Sequence, residues 1–251
     1  MKVKSDLIAV GLADAHLDPF DKVLHPAYRV AREYVFDIKP NVLVFMGDMG
    51  EFASLSSWSR KKPLIQEGRR YKDDYETVKD ELRLFRYKLP DTDMVYIIGN
   101  HEKRVDWYVE KNPEQFGNMD IAKDLELEEM GMEVVRFNEA YKLGQLYWAH
   151  GWFYNKYHAA KTLHEFGDNI VYGHVHSLQQ ETRNVHFARK EQIAQCVGCL
   201  TDRYPDWKSS RPTRFQNGHV TVEYNHKGDF TMYPHIIING EFSYGGYKWR
   251  A

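Results

Sequence analysis

Five segments of this chain share one grammar: an apolar, mostly β-branched run that halts at a small residue, with aspartate, asparagine or histidine directly after it. They are Ile8 to His16, which carries Asp14 and His16; Val42 to Asp48; Met94 to Glu102, which ends Gly99-Asn100-His101-Glu102; Leu146 to Gly151, which carries His150; and Ile170 to His176, which ends Gly173-His174-Val175-His176. Carboxylate and amide oxygens mixed with imidazoles suit borderline first-row divalent cations such as Mn, Fe, Ni or Zn better than calcium. The set holds enough donors for two ions with one carboxylate shared between them.

Side chains so far apart in sequence can converge only if the runs that carry them are neighbouring strands. Each run has the length of a strand buried on both faces, and sheets of such strands present their ends, and the loops just beyond, to ligands. The intervening sequence supplies the crossovers. Pro26 can stand at a first helical position, Ala27, Val30, Ala31, Tyr34 and Val35 follow at helical spacing, and Pro40 closes the segment before the next strand. This is a β-α-β unit, which implies a parallel sheet and a right-handed crossover. Tyr71, Tyr75, Val78, Leu82, Phe85 and Leu89 mark a long amphipathic helix that ends at Pro90. Between Asp48 and that helix an irregular stretch predicts a loop with a short helical turn. Residues 103–131 read as two helical pieces split at Asn112-Pro113, residues 134–137, 140–143 and 146–149 as short strands, and residues 155–166 as one helix. From about residue 178 onward, β-formers and turn signals such as Asn217-Gly218 predict hairpins that complete a second sheet.

No internal repeat, low-complexity tract or linker interrupts the 251 residues, so the expectation is one α/β domain over 1–251, with its core motifs in 6–177. Apolar content of 43% with 28% charged residues is that of an ordinary globular protein. A net charge of −2 means that any affinity for nucleic acid must come from a local patch. The apolar run near the N-terminus is short and broken by Asp14, which predicts a strand rather than a signal peptide, and no segment approaches the length of a membrane span. The two cysteines, Cys196 and Cys199, are read as packed, reduced thiols, and with the absent leader they point to a cytoplasmic protein.

The ordered set DxH, GD, GNHE, H, GHxH resembles the calcineurin-like metallophosphoesterase superfamily over Asp14 to His176, about two thirds of the chain. The resemblance implies a two-sheet α/β sandwich flanked by helices in four layers, and a pair of divalent metal ions, manganese first among them. It implies that Asp14, His16, Asp48 and His176 hold one ion, and that Asp48 bridges to a second held also by Asn100, His150 and His174. His101 is implied to face the substrate and to protonate the leaving oxygen, while a metal-bridging hydroxide attacks the phosphorus.

Glu51 stands three residues after Asp48, where the phosphoprotein-phosphatase branch carries an aspartate paired with the catalytic histidine, so it is expected to orient His101. The arginine next to that aspartate is absent here, with Phe52 in its place, which argues against a Ser/Thr protein phosphatase. Glu102 is not expected to partner His101, because neighbours on an extended chain point opposite ways.

A basic and aromatic stretch, with Trp58, Arg60, Lys61, Arg69 and Arg70, suits a phosphate backbone with stacked bases. Trp152, Phe153, Tyr154, Lys156 and Tyr157, just after His150, are candidate cleft walls, and the tail Tyr244 to Arg250 repeats the theme. The leading expectation is a phosphodiesterase acting on nucleic acid, DNA or RNA, or on nucleotides. The alternatives are a phosphomonoesterase or nucleotide pyrophosphatase, and a metal-stabilised binding module without activity.

Overall fold

A computed structural model of the chain describes residues 6–57, 62–187, 190–204 and 211–251. Strand β1 (Leu7–Leu12) leads through helix α1 (Pro26–Ile38) to β2 (Val42–Phe45). Pro26 occupies the first turn of α1, and Lys39, in the left-handed region, closes the helix just before Pro40. The loop after Asp48 holds a single 3₁₀ turn (Ala53–Leu55) and the short α2 (Pro63–Gln66). Helix α3 (Tyr71–Lys88) then brings the chain back to β3 (Asp93–Ile97). Three short helices follow rather than two: α4 (Arg104–Lys111), α5 (Pro113–Phe116) and α6 (Ile121–Asp124). The second break falls at Asp120, whose side chain caps α6 by accepting from the amides of Ala122 and Lys123.

Strand β4 (Met132–Val135) begins two residues before the sequence suggests, and joins β1, β2 and β3 in a parallel array. After β5 (Ala140–Leu143) and β6 (Leu146–Ala149), helix α7 (His158–Phe166) leads to β7 (Ile170–Tyr172), and the long hairpin β8 (Leu178–Val185) and β9 (Lys190–Val197) follows. These make the second sheet in the order β5-β6-β7-β9-β8, with β6, β7 and β9 parallel.

The C-terminal hairpins do not all join that sheet. Strands β10 (Gly218–Tyr224) and β11 (Phe230–Ile236) extend the first one, which runs β11-β10-β1-β2-β3-β4, and β12 (Glu241–Tyr244) pairs with β13 (Tyr247–Arg250) in a separate ribbon. Burial explains the correction. Val220, Val222 and Tyr224 face the interior between the sheets while His219 and Thr221 face the other way and are equally buried. A strand hidden on both faces belongs beside β1, the centre of the larger sheet, where it also covers an edge that would otherwise stay open.

The two sheets pack face to face. Ala9, Val42, Val44, Val95, Ile97, Val220 and Val222 from the first meet Leu146, Trp148, Val171 and Val197 from the second. The alternate residues Val10, Leu43, Phe45, Met94 and Tyr96 form the opposite face, against Tyr28, Val30 and Tyr34 of α1 and Val78, Leu82 and Phe85 of α3. Ile170, Tyr172, Ala194 and Cys196 pack against Leu163 of α7 on the far side of the second sheet. The result is an α/β sandwich in four layers, helix, sheet, sheet, helix. Its strands read as continuous apolar runs because both of their faces are covered. Cys196 and Cys199 are buried and not joined in a disulfide. Among the described residues no helix is long and apolar enough to cross a membrane.

Candidate metal centre

Because β1, β2 and β3 are parallel to one another, as are β6 and β7, their carboxyl ends gather at one edge of the sandwich. Asp14 and His16 follow β1, Asp48 follows β2, Asn100 and His101 follow β3, His150 directly follows β6, and His174 and His176 follow β7. Hydrogen bonds between the loops lock the edge: Asp14 N to Gly47 O (3.1 Å), His16 N to Asp48 O (3.0 Å), Gly173 N to His150 O (2.8 Å), and His174 N to Asp14 Oδ2 (2.7 Å).

Two donor groups hold expected ligands, Asp14, His16 and His176 in one and Asp48, His150 and His174 in the other, each with one ligand atom per residue and all within 4.8 Å; a third, His16, Glu51 and His101, shares His16 with the first. Asp48 Oδ2 lies 3.4 Å from His150 Nε2 and 4.0 Å from His16 Nε2, which puts the Asp48 carboxylate between the groups. Asn100 Oδ1 is 2.9 Å from His150 Nε2. All seven residues expected to hold ions are therefore brought to one place.

Local conformation marks the same residues. Asp14, His16, Asp48, His174 and His176 all have φ between 48° and 70°, a region that side chains other than glycine seldom adopt. Five of seven donors in this conformation is a concentration of backbone strain, of order 1–3 kcal/mol each, that persists only where surrounding structure enforces it and that gathers at functional sites. Glycine is obligatory at two supports. A Cβ on Gly99 would collide with the Asp48 side chain and amide, and one on Gly47, at φ +86°, would lie 2.6 Å from His150 Nδ1.

The donors fit a divalent cation by their lone pairs. Asp14 Oδ1 is buried and has His176 Nε2 at 3.3 Å but no hydrogen bond of good geometry among the described residues. His16 Nε2 and His176 Nε2 face each other at 3.0 Å, where at most one can donate. His150 Nδ1 donates to Met46 O at 2.9 Å and His16 Nδ1 pairs with Glu51 Oε2 at 2.8 Å, so both imidazoles turn Nε2 toward the centre.

Burial opposes charge on every group here, and the neighbours decide the outcome. At His150 the Asp48 carboxylate overcomes burial and raises the imidazole to about 10; at His16 the Glu51 hydrogen bond and charge raise it to about 8. At His101 and His174 burial prevails and both fall to about 4. Asp14 is held below the usual carboxylate range by His176, and Asp48 well below it by His150, each against the cost of burial. Protons on His16 and His150 occupy the lone pairs that a cation would take, so metal uptake and proton release are linked.

Glu51 supports His101 in a way its position in the sequence does not suggest. Its carboxylate bonds to His16, while its main-chain carbonyl takes the His101 Nδ1 proton at 2.8 Å; the carboxylate is 3.4 Å from that nitrogen. His16 and His101 hold it down to about 2 against burial. Two residues escaped the sequence reading. Glu102, fully buried, accepts from the amides of Asp48 (2.9 Å), Met49 (2.9 Å) and Gly99 (3.0 Å) and from Tyr96 Oη (2.9 Å). It is no partner of His101, but the reason differs from the one expected: residues 99–104 turn into α4 rather than run extended, with Lys103 N bonded to Gly99 O. Arg104 donates to His101 Nε2 at 2.9 Å and to Glu51 O at 2.6 Å. An acidic residue beside a metal-binding motif and a basic one three residues after a histidine, at the opening of a helix, are the signals that could have found them.

The centre opens into a cleft of about 710 Å³ lined also by Asp18, Asp21, Ile65, Arg69, Thr201, Asp202 and Phe215. Arg69 is engaged by Asp18 in two bonds of 2.8 and 2.9 Å. Trp58, Arg60 and Lys61 lie outside the described residues. Trp152 and Lys156 are not in the cleft lining: Trp152 stacks on Phe166 at 5.6 Å, and the Lys156 ammonium sits over the Tyr157 ring. Of the residues after His150 expected to wall the cleft, Tyr154 does approach the centre, 5.7 Å from the His174 ring. The C-terminal ribbon packs Trp249 on Tyr34 of α1, with Phe242 and Tyr244 in the same cluster, while Tyr247 is exposed, and none of the four lines the cleft. His158 is a structural residue, buried between Tyr172 Oη (2.7 Å) and Ser177 Oγ (2.8 Å).

No protein-family model matches the chain, and no curated protein sequence matches it. Among solved structures, the crystal structure of Chaetomium thermophilum Vps29 aligns with 96% of this chain and 96% of its own, at 9% sequence identity and a TM-score of 0.47.

Proposed function

We propose that this chain is a metal-dependent phosphoester hydrolase with two ions, and that its substrate is a diester of nucleotide size. The observation that carries the reading is the pair of donor groups around Asp48, with five strained backbones holding them and a neutral imidazole, His101, beside them at the cleft. Asp14, His16 and His176 would hold one ion, and Asn100, His150 and His174 the other, with the Asp48 carboxylate shared. Bound there, two divalent cations, manganese first among the candidates, supply Lewis acidity that neutralises phosphoryl charge and activates water.

The chain's own residues do the rest. The loops at the strand ends fix the donors before substrate arrives, which spares reorganisation during the reaction. His101 is anchored at Nδ1 by the Glu51 carbonyl, so its Nε2, 3.8 Å from Asp48 Oδ2, is the atom directed at the reacting group. In that place Nε2 takes up a proton from solvent and gives it to the leaving oxygen as the P–O bond breaks, a contribution of about 10²–10⁴-fold. The size of the substrate follows from the cleft. About 710 Å³ accommodates a nucleotide. Among the described residues Asp18, Asp21, Asp202 and Glu51 stand against Arg69 and Arg104, a poor track for a long polyanion.

The test is turnover by the manganese-loaded protein on a generic phosphodiester, a generic phosphomonoester and single- and double-stranded DNA, with His101→Ala as control. Diester turnover that falls at least 10²-fold in the variant is expected. Turnover of the monoester alone overturns the diester assignment, efficient cleavage of long DNA overturns the size limit, and metal uptake without turnover on any substrate favours a binding module.

A further inference from the structure

Arg104 is placed to do more than support α4. Its side chain is 19% exposed and lines the cleft. One end of the guanidinium, Nη1, donates to the Glu51 carbonyl at 2.6 Å and reaches the Phe52 carbonyl at 3.4 Å; the other, Nη2, meets His101 Nε2 at 2.9 Å. A guanidinium has donors and no acceptor, so His101 Nε2 must be the acceptor and the imidazole proton must sit on Nδ1, where the Glu51 carbonyl receives it at 2.8 Å. The atom through which His101 addresses the reacting group is therefore covered by Arg104 in this structure.

Arg69 and Arg104, the arginines that line the cleft among the described residues, differ in what holds them. Arg69 makes two close bonds to the Asp18 carboxylate. Arg104 is 3.6 Å from the Glu51 carboxylate, and its cleft-side hydrogen bond goes to a neutral ring nitrogen. A phosphoryl oxygen carries negative charge and adds a Coulomb attraction to the guanidinium that the neutral ring nitrogen lacks, so one entering the cleft outcompetes the imidazole for Nη2. Anchored at Nη1 by two carbonyls, the guanidinium needs only a small rotation to change partner.

We infer that Arg104 is a phosphoryl-binding residue that covers His101 at rest and exchanges it for a phosphoryl oxygen of the substrate, which frees His101 Nε2 to face the leaving group. The inference rests on the phosphoester reading of the same site. Substrate binding and readiness of His101 thereby become one event.

Inorganic phosphate is the probe that separates this inference from the hydrolase reading. Its dissociation constant, measured by calorimetry on the manganese-loaded protein, is expected to rise roughly ten- to a hundredfold in Arg104→Ala and by less in Arg104→Lys, which keeps the charge but not the fork. KM for the diester is expected to rise in parallel, and guanidinium ion added to Arg104→Ala to restore part of the loss. A melting temperature in Arg104→Lys close to that of the parent keeps the comparison valid if the alanine variant is unstable. If both variants bind phosphate as the parent does and lose only kcat, Arg104 merely positions His101 and the inference is overturned. Phosphate binding that depends on Arg104 in a protein that turns over no phosphoester upholds the inference and overturns the hydrolase reading. A parent that turns over diester but binds phosphate no better than the alanine variant does the reverse.

Discussion

Glu102 holds four main-chain amides, those of Asp48, Met49, Gly50 and Gly99, and the Tyr96 hydroxyl at once, and so ties the Asp48 turn to the Gly99 turn. All five partners donate, so a carboxylate answers them and an amide cannot: Glu102→Gln would set an NH₂ against N–H groups. The expected loss is roughly 2–3 kcal/mol of stability, read by denaturant unfolding, together with weaker metal uptake in calorimetry. A variant as stable as the parent would show that the turns hold each other without it. Asp74 makes the opposite case. Its carboxylate is buried, accepts from the amide and hydroxyl of Ser54, has one oxygen without a partner, and is raised by burial to about 6. Because the folded value lies above the usual 3.8 of an aspartate, its contribution is fully present below about pH 4 and is lost as pH rises through 6. Asp74→Asn is expected to raise the melting temperature at pH 8, with the difference from the parent vanishing near pH 4. An equal shift at both pH values would remove ionisation as the cause.

At the scale of elements, the join between α1, the β10–β11 hairpin and the C-terminal ribbon is built on aromatic rings around two buried histidines. His219 on β10 is fully buried with neither ring nitrogen bonded among the described residues, 4.6 Å from the His235 ring, 5.2 Å from Tyr34 and 4.7 Å from Phe242. His235 on β11 shares the Thr221 hydroxyl with Tyr34. Burial lowers His219 well below its usual range and His235 to about 4. A folded value below the unfolded one means stability that is complete above about pH 6.5 and is lost as pH falls toward 4. His219→Phe removes two unpaired polar atoms and one of the two protonation steps. It is expected to stabilise the protein by about 1–2 kcal/mol at pH 8 and by more at pH 5. Loss of stability at pH 8 would mean that the ring nitrogens have partners in water, or that the extra volume does not fit.

For the whole molecule, the donor set couples metal uptake to folding. Its residues come from five strand ends in two sheets, so no ligand group exists in the unfolded chain and any cation bound there adds its binding energy to stability. Manganese at about a hundred times its dissociation constant is expected to add roughly 2.7 kcal/mol and to raise the melting temperature accordingly. Asp48→Asn is expected to abolish most of that rise, because the shared carboxylate lies between both groups. A shift unchanged in the variant would place the cation elsewhere.

The elements and the donors were legible in sequence because both rest on local patterns. Apolar runs hidden on two faces name their own strands, Pro26 and Pro40 bracket α1, and the aspartates and histidines stand where those runs stop. Sheet membership of the last hairpins was not legible, since β8 and β10 are both β-forming segments and only contact with β9 or β1 separates them. Nor were the fine roles at the centre. Whether Glu51 acts through its carboxylate or its carbonyl, where Trp152 points, and that Glu102 and Arg104 stand behind Asp48 and His101 depend on turns that bring together groups about fifty residues apart. The amino-acid sequence by itself determined which atoms are available for chemistry, because residue type and strand period are local properties. Only the tertiary structure decided which of those atoms meet, because hydrogen bonds and burial at the strand ends are properties of the packed chain.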